Sequence, residues 1–315
     1  MNHSAIRKAL ARWFEKEQRD LPWRRTRDPY AIWISEIMLQ QTRVAAVIPY
    51  YERFLARFPD FVALATAEET EVLTMWAGLG YYSRARNLQK AAKQLVQLGS
   101  FPREYTEILE LAGIGDYTAG AVASIAFGLP HPAIDGNVRR VVMRLAGSAD
   151  VSIEDEAASL IDKKDPGRHN QAMMELGAMI CIPRDPRCAE CPVEQFCLAR
   201  QSGLERELPP PKSKAKLIRK ERTLLVVRKA GKILLIPSPR VPGFWDLPEP
   251  FPGARLGASL GVFRHAITTS QYIFEVREAT GGRPPAGARW LDEKLLHEIP
   301  FGTASKKALA CLERV

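Results

Sequence analysis

The sequence predicts a mostly α-helical N-terminal domain that ends in a metal-binding cysteine loop, followed by a small α+β domain. Apolar residues recur at helical spacing through most of residues 1–204. Four of the five cysteines lie within one 17-residue window, residues 181–197. From about residue 223 the apolar residues begin to alternate with polar ones, which is typical of strands.

Length and charge narrow the possible functions. At 315 residues the chain is long for one domain, so two domains are expected. A net charge of +9 favours a polyanionic partner such as nucleic acid, although a basic protein without such a partner has the same charge. No run of 18 apolar residues occurs, so no segment is expected to span a membrane. The positive charge would also suit an anionic membrane surface, but no membrane partner is predicted. The N-terminus lacks the apolar run of a signal peptide, which favours a cytoplasmic location.

The helical domain contains a series of amphipathic segments separated by short breakers such as Phe58-Pro59-Asp60. The predicted helices are 4–18, 29–41, 43–57, 68–76, 83–98, 104–112, 117–127, 136–146, 153–164 and 169–181. Residues 205–222 combine three consecutive prolines with a run of Lys and Arg, a composition that cannot bury a core. This segment is predicted to be a linker, although its cations also suit contacts with phosphates.

The second domain is predicted to cover residues 223–315. Strands are expected at 223–227, 232–236, 259–264 and 270–277. Lys229-Ala230-Gly231 is a hairpin signal between the first two strands. A final helix is expected at 303–314, where apolar residues share one side.

The clustered cysteines follow the pattern C-x6-C-x2-C-x5-C and are Cys181, Cys188, Cys191 and Cys197. Their spacing favours a [4Fe-4S] cluster, which takes four cysteine ligands. Structural zinc is an alternative, but it usually uses two C-x2-C pairs and only Cys188 and Cys191 form one. Disulfides or free thiols are a third possibility. Either metal implies a reducing compartment, where bare disulfides do not persist.

Glu36 is a candidate acid. From Tyr30 to Leu39 only Ser35 and Glu36 are polar, and a helix that is apolar nearly all round is buried. Desolvation in such a helix raises the pKa of a carboxyl group, so Glu36 can hold a proton near neutral pH. The alternatives are that Glu36 lies on the one wet strip of the helix or caps a neighbouring element.

Gly113-Ile114-Gly115 lies between two predicted helices and resembles the turn of a helix-hairpin-helix DNA-binding module. The free N–H groups at the start of the following helix suit a DNA phosphate. Many such glycine turns are only helix ends. Asp116 is an unfavourable neighbour for a phosphate, and capping of the helix by its side chain is the alternative.

Asp135 precedes the helix predicted from Gly136, and taken alone it is best explained as an N-cap. Its position between the glycine hairpin and the cysteine loop favours a functional role.

The glycine hairpin, Asp135 and the cysteine run, in this order, resemble the pattern of the endonuclease III superfamily of base-excision glycosylases. Within it, four further segments look like the adenine DNA glycosylase family: L-P-W-R (21–24), W-I-S-E-I-M-L-Q-Q-T (33–42), G-L-G-Y-Y-S-R-A-R-N-L (78–88) and N-Q-A-M-M-E-L-G-A-M-I-C (170–181). More loosely, G-F-W-D-L-P (243–248) resembles the Nudix-like C-terminal domain of that family. The chain lacks the Nudix catalytic box, so no nucleotide hydrolysis is expected.

The resemblance implies an enzyme that removes adenine mispaired with 8-oxoguanine or guanine from double-stranded DNA, after the adenine has left the base stack. By this likeness Glu36 protonates the departing base and Asp135 stabilises the cationic sugar. Asn137 and Tyr117 are expected to orient Glu36 and the sugar. Because bifunctional relatives carry lysine where this chain has Tyr117, a glycosylase without strand-nicking activity is predicted.

Other roles follow from the same resemblance. It implies a structural [4Fe-4S] cluster and a monomeric protein. Gln41 and Tyr81 match residues that enter the duplex. The hairpin glycines Gly113 and Gly115 are expected to contact the DNA backbone. Four residues are expected to line the adenine pocket: Trp23, Arg24, Val44 and Glu175. Of these, Trp23 and Val44 could equally be core residues.

The chain departs from the family where a C-terminal loop normally carries Phe-Ser-His to probe 8-oxoguanine. Here the matching residues are Ile267-Thr268-Thr269, of which Thr268 retains a hydroxyl that can reach a base edge. Weakened discrimination between 8-oxoguanine and guanine is therefore predicted, and a broader adenine-mismatch glycosylase is the alternative. A thymine-mismatch glycosylase and a DNA-binding scaffold without activity are further alternatives. Glu36 argues against a thymine-mismatch glycosylase. The retained Glu36, Tyr117 and Asp135 argue against a DNA-binding scaffold without activity.

Overall fold

The chain forms two compact units. The computed structural model describes residues 2–211, 218–239, 241–267 and 270–312. One unit comprises Met1–Thr66 and Asn87–Lys212, and the other comprises Ala67–Arg86 and Ser213–Val315. Residues 67–86 thus group with the C-terminal strands, whereas the sequence analysis assigned them to the domain 1–204. The domain boundaries drawn from the sequence, including the linker 205–222, stay predictions.

The predicted helices are all present, with ends that differ by a few residues. In chain order the helices are α1 (His3–Glu17), α2 (Pro29–Leu39), α3 (Val44–Arg57), α4 (Phe61–Thr66), α5 (Glu69–Trp76), α6 (Ser83–Leu98), α7 (Tyr105–Leu109), α8 (Asp116–Phe127), α9 (Gly136–Ala146), α10 (Ile153–Leu160), α11 (Pro166–Met179) and α12 (Leu198–Gln201). Helices α4 and α12 were not predicted, because six and four residues are too few to show a helical period. No helix in the described ranges is long and apolar enough to cross a membrane.

Capping side chains explain where several helices begin. Asp28 accepts hydrogen bonds from the backbone N–H groups of Tyr30 and Ala31, and Pro29 occupies the first turn of α2. By contrast, α8 begins after Gly115, which provides no side-chain cap. The first N–H groups of α8 are therefore not satisfied by a capping side chain at that position.

One face each of α1, α9 and α11 forms the core that supports the predicted site. The members of this core include Ile6, Leu10, Phe14, Val138, Val141, Val142, Leu145, Ala172 and Leu176. The backbone segment that leads into α9 lies directly against α8, because a Cβ atom on Gly120 would come within 2.4 Å of the Pro132 carbonyl oxygen. Such close packing leaves little freedom for the residues at the start of α9.

The second unit contains a mixed sheet and a C-terminal helix, which confirms the predicted α+β class. Its elements are β1 (Ile218–Lys229), β2 (Lys232–Pro237), β3 (Trp245–Asp246), β4 (Ala254–Ile267), β5 (Ser270–Gly281), β6 (Arg289–Asp292) and α13 (Thr303–Leu309). The strand order is β3-β2-β1-β5-β4, with β6 also paired to β2. The predicted hairpin is confirmed, since Lys229 pairs with Lys232 across Ala230-Gly231.

Two features of the sheet differ from the sequence analysis. Strand β1 begins at Ile218, within the predicted linker, and pairs in parallel with β5. The short strands β3 and β6 were missed because two and four residues carry no clear alternation. Thr268 lies outside the described residues, between the end of β4 and the start of β5, so its predicted contact with DNA stays a prediction.

Candidate active site

A cavity of about 490 Å³ lies in the first unit. It is lined by parts of α2, α8, α9 and α11 and by the segment before α2. Its wall contains all four residues predicted to be catalytic, Glu36, Tyr117, Asp135 and Asn137. It also contains all four residues predicted to line a base pocket, Trp23, Arg24, Val44 and Glu175. Gln41, predicted to enter DNA, lies in the same wall.

Glu36 is buried at the cavity wall, with 4% of its surface exposed. This burial is against the alternative in which Glu36 lies on a wet strip of α2. The pKa of Glu36 is raised to about 7, chiefly because burial removes water from the carboxyl group; the hydrogen bond from Tyr117 opposes this shift and the nearby charge of Asp135 adds to it. A carboxyl group in this environment can exchange a proton near neutral pH.

Tyr117, on the first turn of α8, donates its hydroxyl proton to Glu36 Oε2. Burial raises the pKa of Tyr117 well above its usual value, so the phenol remains a donor throughout the physiological range. The Tyr117 hydroxyl oxygen also lies 3.4 Å from the Met174 sulfur atom. Met174 was not singled out from the sequence, because a methionine within an apolar helix carries no sign of such a contact.

Asp135 is both the N-cap of α9 and a wall of the cavity, so the capping explanation and the functional one are compatible. Its Oδ1 accepts hydrogen bonds from the backbone N–H groups of Asn137 at 2.8 Å and Val138 at 2.7 Å. Its Oδ2 accepts from the side-chain amide of Asn137 at 2.8 Å. Three N–H donors stabilise negative charge on the carboxylate and fix its direction.

Asn137 contacts Asp135 rather than Glu36 in the hydrogen bonds of the described structure. Its Oδ1 accepts from Arg140 Nη2 at 2.9 Å. Arg140 also donates to the backbone carbonyls of Cys181 and Gly177, each at 2.7 Å. Arg140 thereby connects the start of the cysteine loop to the amide that holds Asp135.

The sequence analysis missed Arg140 and its neighbour Arg144. Both are buried, with 8% and 1% of their surface exposed, whereas an arginine-rich helix usually turns its charges to solvent. One signal was present in the sequence: Asn137, Arg140 and Arg144 recur at helical spacing, so they share one face of α9.

Glu175 forms a second charged group in the cavity. Burial by itself raises the pKa of Glu175, but hydrogen bonds from Arg19 and Arg24 outweigh this and lower it to about 2. Both arginines contact both carboxylate oxygens, at 2.5 to 3.1 Å. Arg19 was not predicted, since nothing in the sequence distinguishes it from the other arginines.

Trp23 and Val44 are partly core and partly cavity wall. Trp23 is 6% exposed, and its ring meets the edge of Tyr51 with a centroid distance of 5.4 Å. Val44 is half-buried at the first residue of α3. Both nevertheless line the cavity, which leaves them available to contact a bound base.

Gln41 and Tyr81 are exposed residues with unusual backbone conformations. Their φ angles are 55° and 48°, in the left-handed region that non-glycine residues seldom adopt. The third such residue in the described part of the chain is Ala230, in the turn between β1 and β2. Backbone strain of this kind is found preferentially at functional sites.

The glycine hairpin lies between α7 and α8, as predicted. Gly113 has a φ of 76°, and a Cβ atom there would come within 2.5 Å of the Asn87 Cβ, so this position requires glycine. Gly115 has open space around it. The Asp116 carboxylate, in the first turn of α8, accepts a hydrogen bond from the Tyr105 hydroxyl at 2.9 Å, and the N-cap position itself is occupied by Gly115.

The four clustered cysteines line a common cavity with Arg144. All are half-buried free thiols, and burial raises the pKa of the Cys191 thiol to about 12. Arg144 donates to the Cys181 sulfur at 3.2 Å and to the carbonyls of Ile182 and Pro183, each at 2.8 Å. Within the described residues, no three His, Cys, Asp or Glu side chains form a group that could hold one metal ion.

Comparisons with known proteins agree with the fold of the helical unit. Residues 34–164 match the family model of the HhH-GPD superfamily base excision DNA repair proteins. The chain resembles a solved thermostable thymine-DNA glycosylase with a TM-score of 0.60 and 28% identity, covering 64% of this chain and 97% of that one. It resembles endonuclease III in a trapped covalent DNA complex with a TM-score of 0.56 and 27% identity, covering 65% and 99%. The helical unit is thus a helix-hairpin-helix base-excision glycosylase fold.

Sequence similarity identifies the family within this class. The human adenine DNA glycosylase is 35% identical over 401 residues, an alignment that covers 96% of this chain and 73% of the human protein. The chain belongs to the adenine DNA glycosylase family of base excision repair enzymes.

Proposed function

We propose that this glycosylase hydrolyses the N-glycosidic bond of adenine mispaired with 8-oxoguanine or guanine in double-stranded DNA. The observation that carries the proposal is one cavity that holds two carboxyl groups in different environments, the buried Glu36 and the hydrogen-bonded Asp135. Two carboxyl groups of this kind divide the work of glycoside hydrolysis between an acid and an anion. The protein is proposed to act on DNA in the cytoplasm as a monomer.

Glu36 and Asp135 act on opposite charges of the reaction. As the bond breaks, negative charge develops on the adenine and positive charge on the sugar. Protonated Glu36 donates its proton to adenine N7 and makes the base a better leaving group. Asp135, held by three N–H donors, stabilises the cationic sugar through its charge or by transient bonding. Tyr117 keeps Glu36 in position through its hydroxyl.

Arg24 and Glu175 are proposed to shape the pocket for the displaced base. Both Glu175 oxygens already accept hydrogen bonds from Arg19 and Arg24. Glu175 is therefore suited to fixing the two guanidinium groups rather than to taking up a proton. Arg24 can then present N–H donors to the ring nitrogens of a flipped adenine, and Trp23 and Val44 can contact its ring.

The enzyme is proposed to release the base without nicking the strand. A nick requires an amine that forms a Schiff base with the sugar. Tyr117 has no amine, and no lysine belongs to the cavity wall in the described part of the chain.

Single-turnover base release on four duplexes tests the proposal. The target pairs are adenine opposite 8-oxoguanine, guanine or cytosine, and thymine opposite guanine. Fast release from adenine opposite 8-oxoguanine and guanine, with no strand break before heat or alkali, is expected. Release of thymine alone would indicate a thymine-mismatch enzyme, and no release at all from iron-loaded protein would indicate a DNA-binding scaffold. Because Ile267-Thr268-Thr269 replaces the usual Phe-Ser-His, the rates for 8-oxoguanine and guanine are expected to differ less than in relatives that retain that triplet.

The Tyr117→Phe substitution is expected to move the pH dependence of base release. Release requires protonated Glu36, so its rate should fall as the pH rises through about 7. The Tyr117 hydrogen bond lowers the pKa of Glu36, so removing it raises that pKa and extends activity to higher pH. Single-turnover rates between pH 5 and 9 measure the shift. Tyr30→Phe is the control, because the Tyr30 hydroxyl bonds only to the Phe58 carbonyl in the hydrogen bonds described, and it should leave the midpoint unchanged.

We further propose that Cys181, Cys188, Cys191 and Cys197 hold a structural [4Fe-4S] cluster. Four thiols around one cavity fit a cluster, in which each cysteine binds a different iron atom. Structural zinc usually uses two C-x2-C pairs, whereas only Cys188 and Cys191 form one here. When bound, the cluster contributes folding energy by fixing the loop, which Arg140 and Arg144 connect to α9.

Iron analysis tests the cluster directly. Purified protein is expected to contain about four iron atoms per chain, with the visible absorbance of a cluster. The Cys191→Ser protein should lose its iron, and its helical unit should be less stable. The Cys311→Ser protein, which is changed outside the loop, should keep its iron and its stability. Stoichiometric zinc in the wild-type protein would overturn the assignment.

The Gly177→Ala substitution is expected to disturb Asp135 from a distance. A Cβ atom at Gly177 would lie 2.5 Å from the Asn137 Cβ and 3.1 Å from its backbone, so α9 must shift. The expected cost is roughly 1–3 kcal/mol of unfolding free energy. Adenine release should slow more than DNA binding weakens, because Asn137 orients Asp135. Gly115→Ala, at a position with open space, is the control for stability.

A further inference from the structure

The short loop before α6 carries an exposed aromatic residue in a strained conformation. Tyr81 is 53% exposed and has a φ of 48°. Gly78 and Gly80 also have positive φ angles, of 120° and 73°. An exposed ring contributes little to folding, so something else must hold Tyr81 in this conformation.

Arg84 contacts this loop on three sides. Its Nη2 donates to the carbonyl oxygens of Leu79 and Gly80, each at 3.2 Å. Its guanidinium carbon lies 5.5 Å from the centre of the Tyr81 ring and 5.3 Å from that of Trp76, within cation–π range of both. Its own backbone N–H donates to the Tyr81 carbonyl at 2.9 Å.

Trp76 is a second residue that holds the loop in place. It is fully buried, and its indole N–H donates to the same Gly80 carbonyl at 3.1 Å. The Gly80 carbonyl therefore accepts from two side chains whose positions are fixed by packing. The Tyr81 ring itself remains largely exposed to solvent.

We propose that Arg84 is a positioning residue for Tyr81, and that it holds the ring ready to enter a DNA duplex. This inference rests on the proposed function. The guanidinium lies over one side of the ring and leaves the exposed part free to stack on a base. A lysine cannot replace it, because an ammonium group lacks the planar face with which the guanidinium stacks on two rings while one of its nitrogens donates to the loop carbonyls.

The prediction concerns recognition of the mispair rather than general affinity for DNA. Arg84→Met is expected to lower the ratio of affinities for mispaired and fully paired duplex by about tenfold, since the ordered ring is lost. Arg84→Lys should lower this ratio by nearly as much, although it keeps the charge. Arg86→Met is the matched control: Arg86 is on the same helix, pairs with Glu69, and should weaken both affinities alike.

A double-mutant cycle separates positioning from a general structural effect. If Arg84 acts through Tyr81, Arg84→Met should cause no further loss of mispair preference in a Tyr81→Ala background. Titrations use duplexes in which adenine opposite guanine carries a 2′-fluorinated sugar that resists cleavage. Additive losses, or an unchanged preference in Arg84→Met, would overturn the inference. Adenine release by the wild-type enzyme is measured in parallel, because its absence would instead refute the proposed function.

Discussion

Replacing Glu36 with glutamine is expected to abolish adenine release while mispaired DNA remains bound. Glutamine has nearly the same shape and can still accept the hydrogen bond from Tyr117. It cannot donate the acidic proton that makes adenine a leaving group. Loss of a general acid typically lowers a rate by about 10² to 10⁴-fold, and the upper part of that range is expected for an acid as deeply buried as Glu36.

The pH dependence of the free energy of unfolding tests whether the Glu36→Gln substitution acts by removing the ionisation of Glu36. The pKa of Glu36 is raised in the folded state from 4.5 to about 7, so the folded protein binds this proton more tightly than the unfolded chain. The wild type should therefore lose stability relative to Glu36→Gln as the pH rises from about 4.5 to about 7. The change is on the order of 3 kcal/mol.

Single-turnover rates and affinities for an adenine–guanine duplex provide the decisive comparison. A Glu36→Gln rate within tenfold of the wild type, in protein that binds the duplex normally, would assign the proton transfer to another group. Tyr117 would then be the next residue to substitute, because its hydroxyl is hydrogen-bonded to Glu36 in the same cavity.

Replacing Asp135 with asparagine is expected to slow adenine release by roughly 10³-fold with little loss of stability. Asparagine caps a helix about as well as aspartate, so the hydrogen bonds from the Asn137 and Val138 backbone can persist. The negative charge that stabilises the sugar cation is lost. The effect on chemistry is thus separated from the effect on α9.

Asp135→Ala provides the comparison, because it removes both the cap and the charge. It should cost about 1–2 kcal/mol of unfolding free energy in addition to the lost activity. If capping alone were the role of Asp135, the asparagine variant would retain nearly full activity and only the alanine variant would fail. Chemical denaturation and single-turnover kinetics on the three proteins distinguish these outcomes.

The helical unit and the two carboxylates could be predicted because their signals are local. The apolar sequence around Glu36 indicates a buried helix, and Asp135 stands just before a periodic segment. The likeness to a known family then connected the two residues to one reaction. The structure adds their shared cavity and the donors that hold them.

The buried arginines could not be predicted, because their partners are distant in sequence. Arg19 bonds to Glu175, 156 residues away, and Arg140 bonds to Cys181, 41 residues away. Nothing in an arginine's immediate neighbours specifies such a partner. The strain at Gln41 and Tyr81 was equally hidden, since neither position carries the glycine that normally marks a left-handed backbone.

Long-range pairing limited the prediction of the second unit in the same way. The first and fifth strands pair in parallel although about 50 residues separate them, and alternation within each strand does not reveal its neighbour. The helix α5 looked like one more member of the helical domain. Its grouping with the C-terminal strands depends on tertiary contacts alone.

That grouping has a consequence for how the chain can be cut and recombined. Tyr82 is 9% exposed, its ring lies 4.2 Å from that of Phe244, and its hydroxyl contacts the Phe301 carbonyl. A fragment that ends after the proline-rich segment would lack Phe244 and Phe301 and would therefore expose the Tyr82 ring to solvent. Such a fragment is not expected to be a stable minimal enzyme. A chimera between relatives should take residues 67–86 and 223–315 from the same parent, because these two stretches pack as one unit.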